Sequence, residues 1–247
     1  MSIVSKLKQW LATSVPNRCQ LCQQVVLQGQ GLCHCCLNDL TPPLLCSRCT
    51  APLTPVASMS VAKTAATPTH STWPRCGACL NKPLRLPIIA AYPYHHPLGQ
   101  LVGHLKTQQQ WHLLTALCQP LVAHQQRQSQ PDLLVPIPMS RHALQQRGCN
   151  HAVRIADELG RQLAIPVATE LLTKTRHTPN QRSLNGRQRR RNLHGSFHAT
   201  KATPSLRLAL VDDVVTTGST LTIAAKALMQ QGHQVSHALV LASAMHR

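Results

Sequence analysis

Residues 206–220 read LRLALVDDVVTTGST, and this stretch decides the fold. Leu206 to Val211 is aliphatic apart from Arg207, which predicts a strand buried on both faces, as in the interior of a parallel sheet. Two adjacent acids, Asp212 and Asp213, come next, and then a run of small hydroxyl residues around a glycine: Thr216, Thr217, Gly218, Ser219 and Thr220. Behind the run, Leu221, Ala224, Ala225 and Leu228 recur at helical spacing up to Gly232, which predicts a helix over 220–231. Open parallel sheets hold ligands outside the carboxyl ends of their strands, so the acids and the turn after them are expected at a binding edge.

Working outward, the same alternation recurs. Apolar stretches at 87–94, 132–137 and 235–242 predict strands, the second ended by Pro136 and Pro138. Residues 99–106, 111–126 and 150–163 predict helices, the last with Ala152, Ile155, Ala156 and Leu159 on one face. The fold class is therefore α/β, a mostly parallel sheet flanked by helices, occupying residues 86–247.

The hydroxyl run has its own chemistry. Backbone N–H groups and hydroxyls just ahead of a helix can wrap a phosphate at the positive end of the helix dipole. Neither GxxxxGK[ST] nor a GxGxxG after a strand is present, which counts against ATP hydrolysis and dinucleotide binding. A carboxylate pair beside a phosphate cradle repels its ligand unless it binds sugar hydroxyls and helps hold a divalent cation, and a ribose phosphate meets that demand. The plainer alternative is a strand-end turn whose acids only cap the loop.

Acids are scarce here. Against 25 Lys+Arg stand 7 Asp+Glu, a formal net charge of +18, which draws the chain toward phosphate on a small molecule or on nucleic acid. Aromatic residues make up only 2%, too few for a single-strand stacking platform, so any DNA binding would lean on phosphate contacts. Between Glu170 and Asp212 no acid occurs while Lys174, Arg176, Arg182, Arg187, Arg189, Arg190 and Arg191 accumulate; a lid or ribbon is expected, with a solvated charge run as the alternative.

Eight of the 11 cysteines form pairs with two intervening residues: Cys19/Cys22, Cys33/Cys36, Cys46/Cys49 and Cys76/Cys79. Two thiolates on one tight turn can point at a single ion, and two such knuckles complete a tetrahedral zinc site, so four knuckles predict two structural zinc ions. Chain order pairs the first four cysteines and the last four; a crossed arrangement stays open, as do Cys35 or His34 as substitutes in the second knuckle. An iron–sulfur cluster also takes four thiolates, but knuckles separated by short polar loops suit a zinc ribbon better. Residues 1–85 thus form a cysteine-rich double zinc-ribbon module, with a disordered insert expected over about 51–73, rich in Pro, Ala, Ser and Thr. Cys118 and Cys149 read as small, partly buried side chains.

The first 17 residues suggest a short amphipathic helix with Lys6 and Lys8 but no continuous signal-peptide core, and no stretch approaches the roughly 18 to 20 apolar residues of a membrane span. A cytoplasmic protein is expected, where thiols stay reduced.

VDDVVTTGST resembles the signature of type I phosphoribosyltransferases. The cysteine knuckles, VPIP followed by Arg141, Arg147, Gly148 and Asn150, and then Gln181, Leu184, Arg189, Asn192, Gly195 and Phe197, resemble the ComF family, competence protein F and its relatives in DNA uptake or use of external DNA. The resemblance spans essentially the whole chain. Where that family commonly has RGFNQ, this chain has Arg147-Gly148-Cys149-Asn150-His151.

The resemblance implies that Asp212 and Asp213 meet the ribose hydroxyls, that Thr216, Thr217, Gly218, Ser219 and Thr220 hold the 5′-phosphate, and that the loop after Ile137, with Arg141, holds the pyrophosphate with magnesium. Gln181, Arg189 and Asn192 match the flexible loop that closes over the pyrophosphate, with Arg189 among the catalytic positions. It implies an active or former phosphoribosyltransferase, an enzyme of pentosyl transfer, linked to DNA uptake or DNA-processing partners. The alternative is a non-catalytic, zinc-dependent nucleic-acid-binding factor that keeps the ribose-phosphate site.

Overall fold

The structure is a computed structural model of the 247-residue chain. It describes residues 17–26, 31–40, 44–53, 73–83, 86–95, 97–107, 110–174, 196–201 and 204–245. The expected N-terminal helix and most of the expected insert lie outside these residues.

The cysteine-rich region contains a two-stranded antiparallel hairpin, β1 (Asn17–Arg18) and β2 (Val25–Val26), followed by the helix α1 (His34–Leu40). An isolated bridge, Leu45 with Pro52, precedes the single-turn helix α2 (Gly77–Leu80).

Next comes β3 (Ile88–Pro93), then α3 (Leu98–Thr107). The helix expected over 111–126 is broken into a 3-10 turn (Trp111–Leu113), α4 (Leu114–Leu117) and α5 (Gln119–Gln125). Pro120 causes the break: it has no N–H to give the carbonyl four residues back and is tolerated only in a first turn, so a new helix starts just ahead of it.

The remaining elements are β4 (Leu133–Pro136), α6 (Arg141–Arg147), α7 (His151–Leu163), the antiparallel ribbon of β5 (Leu172–Lys174) and β6 (Phe197–Ala199), then β7 (Arg207–Val215), α8 (Ser219–Gln230) and β8 (Gln234–Ser243).

Four strands form one sheet in the order β3-β8-β7-β4, every neighbouring pair parallel. Successive side chains of a strand face opposite ways, and here both faces are covered. Ile89, Ala91, Ala209, Val211, Leu239 and Leu241 pack with α3, α5 and α7, while Ile88, Ala90, Leu208, Leu210, Ala238 and Val240 pack with α8 and the ribbon. That two-sided burial is why the strands read as unbroken apolar runs rather than as alternating ones.

β4 is an edge strand and carries Pro136. Ile137 N–H donates to Val211 O on the β7 side, whereas Leu134 N–H donates outward to Pro166 O. The nitrogen of Pro136 shares the outward side with Leu134, where a missing donor breaks no ladder bond. After α7 the chain turns back at Ala164 (φ 56) and runs so close to the helix that a Cβ on Gly160 would lie 2.7 Å from Ile165 O. Among the described residues no helix is long and apolar enough to cross a membrane.

Candidate functional site

The carboxyl edge of the sheet gathers the residues singled out by the sequence. The strand expected to end at Val211 continues to Val215, so Asp212 and Asp213 belong to β7 rather than to the turn behind it. Their partners in β8 explain the extension: Asp212 registers with Val240, Val214 with Ala242 and Val215 with Ser243. Each acid also uses one oxygen locally, Asp213 N–H donating to Asp212 Oδ1 at 2.9 Å and Val214 N–H to Asp213 Oδ1 at 2.6 Å.

The strand divides the two acids between different surroundings. Asp213 lines a small apolar recess with Leu105, Trp111, Leu114, His151 and Ile155, all on the α3 and α7 side. Asp212 acts electrostatically on Lys174, which belongs to the ribbon on the α8 side.

Behind the acids, Thr216 and Thr217 are exposed while Gly218 and Ser219 are buried and Thr220 is half-buried. Gly218 takes the left-handed backbone (φ 69) at the N-cap of α8, and a Cβ there would lie 3.2 Å from Ile88 Cδ1. Thr217 Oγ1 accepts the Ser219 N–H at 3.4 Å and donates to Ser219 Oγ at 3.0 Å, while Thr222 Oγ1 donates to Gly218 O at 2.9 Å. A glycine able to adopt positive φ thus reverses the chain, and the hydroxyls of 216–220 crowd around the positive end of a 12-residue helix.

The neighbouring loop after Ile137 ends at Ser140, whose Oγ caps α6 by accepting the Ala143 N–H at 3.3 Å; Arg141 is the first residue of α6 and is exposed. Asn150 fixes that loop from behind. Its Nδ2 donates to Ile137 O at 2.9 Å and its Oδ1 caps α7 by accepting the Ala152 N–H at 3.1 Å. Because β4 and β7 are parallel neighbours, this loop and the hydroxyl run open on the same edge. Gln181, Arg189 and Asn192 lie outside the described residues.

Lys174 was legible only as one member of a basic run. The ribbon register, Lys174 opposite Phe197, sets its ammonium 5.8 Å from the Phe197 ring centroid. Burial lowers its pKa, with Asp212 opposing that shift and Arg147 reinforcing it. At the other wall, Trp111 and His151 have ring centroids 5.7 Å apart, and the Arg154 guanidinium lies 5.7 Å over the Trp111 ring.

The eight paired cysteines assemble in chain order: Cys19, Cys22, Cys33 and Cys36 in one group, Cys46, Cys49, Cys76 and Cys79 in the other, the four sulfurs of each group all within 4.8 Å of one another. Thiolates at the zinc–sulfur distance on a tetrahedron stand about 3.8 Å apart; Cys22 Sγ to Cys33 Sγ and Cys49 Sγ to Cys76 Sγ are both 3.6 Å. Donor type, number and spacing therefore fit zinc, and each group could hold one ion. In both groups the second knuckle runs into a helix, α1 or α2, instead of a second hairpin, unlike a simple ribbon. Cys35 is exposed and outside both groups.

The knuckle backbones favour thiolate. Burial opposes ionisation of Cys19, but the N–H groups of Cys22, Cys33 and Leu21 outweigh it and bring the thiol to about 6. Cys46 reaches about 6 in the same way, against its own burial, through the N–H groups of Cys76, Cys49 and Arg48. Cys49 is pushed up to about 12, chiefly by burial and then by its sulfur neighbours.

No protein-family model matches the chain. It is 33% identical over 230 residues to the DNA utilization protein YhgH of Escherichia coli (strain K12), covering 89% of this chain and 93% of that protein. It is 30% identical over 226 residues to competence protein F of Haemophilus influenzae, covering 87% and 92%. The chain belongs to the ComF family.

Among solved structures, this ComF-family chain is similar to glutamine phosphoribosylpyrophosphate amidotransferase from B. subtilis, at 18% identity and TM-score 0.35 over 52% of this chain and 26% of that one. It is also similar to orotate phosphoribosyltransferase from Aeropyrum pernix, at 17% identity and TM-score 0.32 over 55% and 60%.

Proposed function

We propose that this ComF-family protein binds phosphoribosyl diphosphate with magnesium at the carboxyl edge of its sheet, in the service of DNA uptake or the use of external DNA. The observation that carries this reading is the continuity of Asp212 and Asp213 on β7 with the Gly218 reversal and the hydroxyl-lined start of α8. Carboxylates suit sugar hydroxyls, and a helix start with hydroxyls suits a phosphate one sugar length away. The oxygens of Asp212 and Asp213 are donors of the hard type that magnesium prefers, and magnesium would supply charge neutralisation at the diphosphate.

In this reading Asp212 and Asp213 hold the ribose, residues 216–220 hold the 5′-phosphate, and Arg141 with the loop after Ile137 faces the diphosphate. Phosphoribosyl transfer passes through a positively charged sugar, so two carboxylates fixed to a strand can stabilise it without rearrangement. The names of its relatives support a role in DNA handling, and in this reading residues 1–85 serve as a zinc-stabilised module beside the 86–247 domain. Calorimetry with magnesium and phosphoribosyl diphosphate tests the site: binding is expected, and its loss in Asp212→Asn with Asp213→Asn. Binding that survives the double substitution overturns the assignment.

A second reading, a zinc-dependent DNA-binding factor, is favoured by one local observation. Arg48 Nε donates to Pro83 O at 3.3 Å and Arg75 Nη1 to Lys82 O at 3.2 Å, so three cations gather on one turn beside the second cysteine group. DNA held there through six or more phosphates loses affinity roughly a thousandfold between 50 and 200 mM salt, and a flat salt response excludes it.

A further inference from the structure

We propose that Lys174 is an anion-holding residue of this site, its ammonium taking the diphosphate of phosphoribosyl diphosphate on the ribbon side of β7. The inference rests on the phosphoribosyl diphosphate reading and adds to it a residue outside the acid pair and the hydroxyl run.

The geometry points there in three steps. First, the stem of Lys174 is held: it is the last residue of β5, paired with Phe197 across the ribbon, and Phe197 and Leu172 are buried in the core shared with α8. The ammonium is half-buried over the Phe197 ring at 5.8 Å, a contact that a lysine can keep while its donors reach elsewhere.

Second, those donors are unspent among the described residues. Among the described residues Lys174 Nζ makes no hydrogen bond and no ion pair within 4.0 Å; the ion pair that is present joins Arg161 to Glu158 on the exposed face of α7. A partly desolvated ammonium with three unused donors is costly to keep unless something negative comes to it.

Third, among the described residues more than one cation shares a single carboxylate. Asp212 supplies one carboxylate, and Arg147, at the end of α6, adds a second cation to the same neighbourhood. Two cations sharing one carboxylate leave a place for an anion of more than one charge, which a diphosphate is and a sugar hydroxyl is not. The location agrees with the chemistry: α6 follows the loop after β4, and Asp212 faces the ribbon while Asp213 faces the apolar recess.

Three ligands separate the possibilities: phosphoribosyl diphosphate, inorganic pyrophosphate and ribose 5-phosphate, each titrated with magnesium into the full chain. Lys174→Met is expected to weaken the first two by about ten- to a hundredfold, the cost of one charged hydrogen bond, and to leave ribose 5-phosphate within about twofold of the parent protein, while Lys174→Arg recovers most of the loss. Unchanged affinity for all three in Lys174→Met, or an equal loss of all three, overturns the assignment of Lys174 while leaving the site itself in place. If the parent protein binds none of them, the phosphoribosyl diphosphate reading falls and this inference falls with it. A urea midpoint for each variant shows that the fold is retained.

Discussion

Trp73 lies against His237 with ring centroids 5.3 Å apart, joining the approach to the second cysteine group to the central strand β8. The same indole stacks on His124 of α5 at 5.9 Å. Both imidazoles keep a buried Nε2 without a hydrogen-bond partner, which holds them neutral. His237 is depressed to about 3, by burial first and then by the charges of His124 and Arg207, and His124 is lowered by burial and by Arg127.

A pH dependence follows with a definite sign. The folded pKa of His237 lies below the unfolded value near 6.5, so its stabilising effect is complete above about pH 6.5 and is lost progressively as pH falls toward about 3. By pH 5.5 the loss from His237 is on the order of 1 kcal/mol. Urea unfolding followed by Trp fluorescence at pH 7.5 and 5.5 measures it, and His237→Phe should flatten much of the difference; an unaltered slope in that variant counts against a neutral buried imidazole.

Metal content should report two independent sites. Purified protein is expected to carry two zinc ions per chain, and Ser in place of Cys22 or Cys49 to remove one ion each, from different groups. Elemental analysis of the two single variants and of the pair decides it: the double variant should retain no zinc, whereas one ion left in it would mean that Cys22 and Cys49 share a site.

Gly218→Ala meets two obstacles, a φ of 69 and Ile88 Cδ1 at 3.2 Å from the new Cβ. A destabilisation of about 1–2 kcal/mol is expected, with a larger proportional loss of phosphoribosyl diphosphate affinity, because the reversal orients the hydroxyl run. Calorimetry and denaturant unfolding on the same sample separate the two effects.

Asn150→Ala removes a helix cap and the tether on Ile137 O at one stroke. The cap alone is worth about 1 kcal/mol. Chemical-shift changes should then reach Pro138 and Ser140 as well as the start of α7; changes confined to α7 would mean that the loop stands without the tether.

Much of this fold was legible because each face of the sheet demands aliphatic side chains, and the strands at 87–94, 132–137 and 235–242 were found within two residues of their observed ends. The extension of β7 through Asp212 and Asp213 was not, because two acids look like a turn until β8 supplies ladder partners as far as Ser243. The break at Cys118 was carried by Pro120 and could have been read from it. The four cysteine knuckles followed from spacing, while their pairing in chain order, left open by the spacing, is fixed by the structure; the ribbon strands are three residues each and owe their form to pairing with one another. Lys174 gave no signal of its own among the basic residues around it, since only the ribbon register brings it to Asp212.

The strand order has a consequence for how the chain is made. β3 touches the sheet only through β8, the strand that leaves the ribosome after all the others described. Until β8 inserts, β3 has no strand neighbour, and Thr50 and Ser243, 193 residues apart, cannot form their hydroxyl contact. β3 must therefore wait without a strand partner while the rest is synthesised, an apolar strand that a chaperone could cover. Loss of β8 would undo more than one edge: it would split the sheet at its middle.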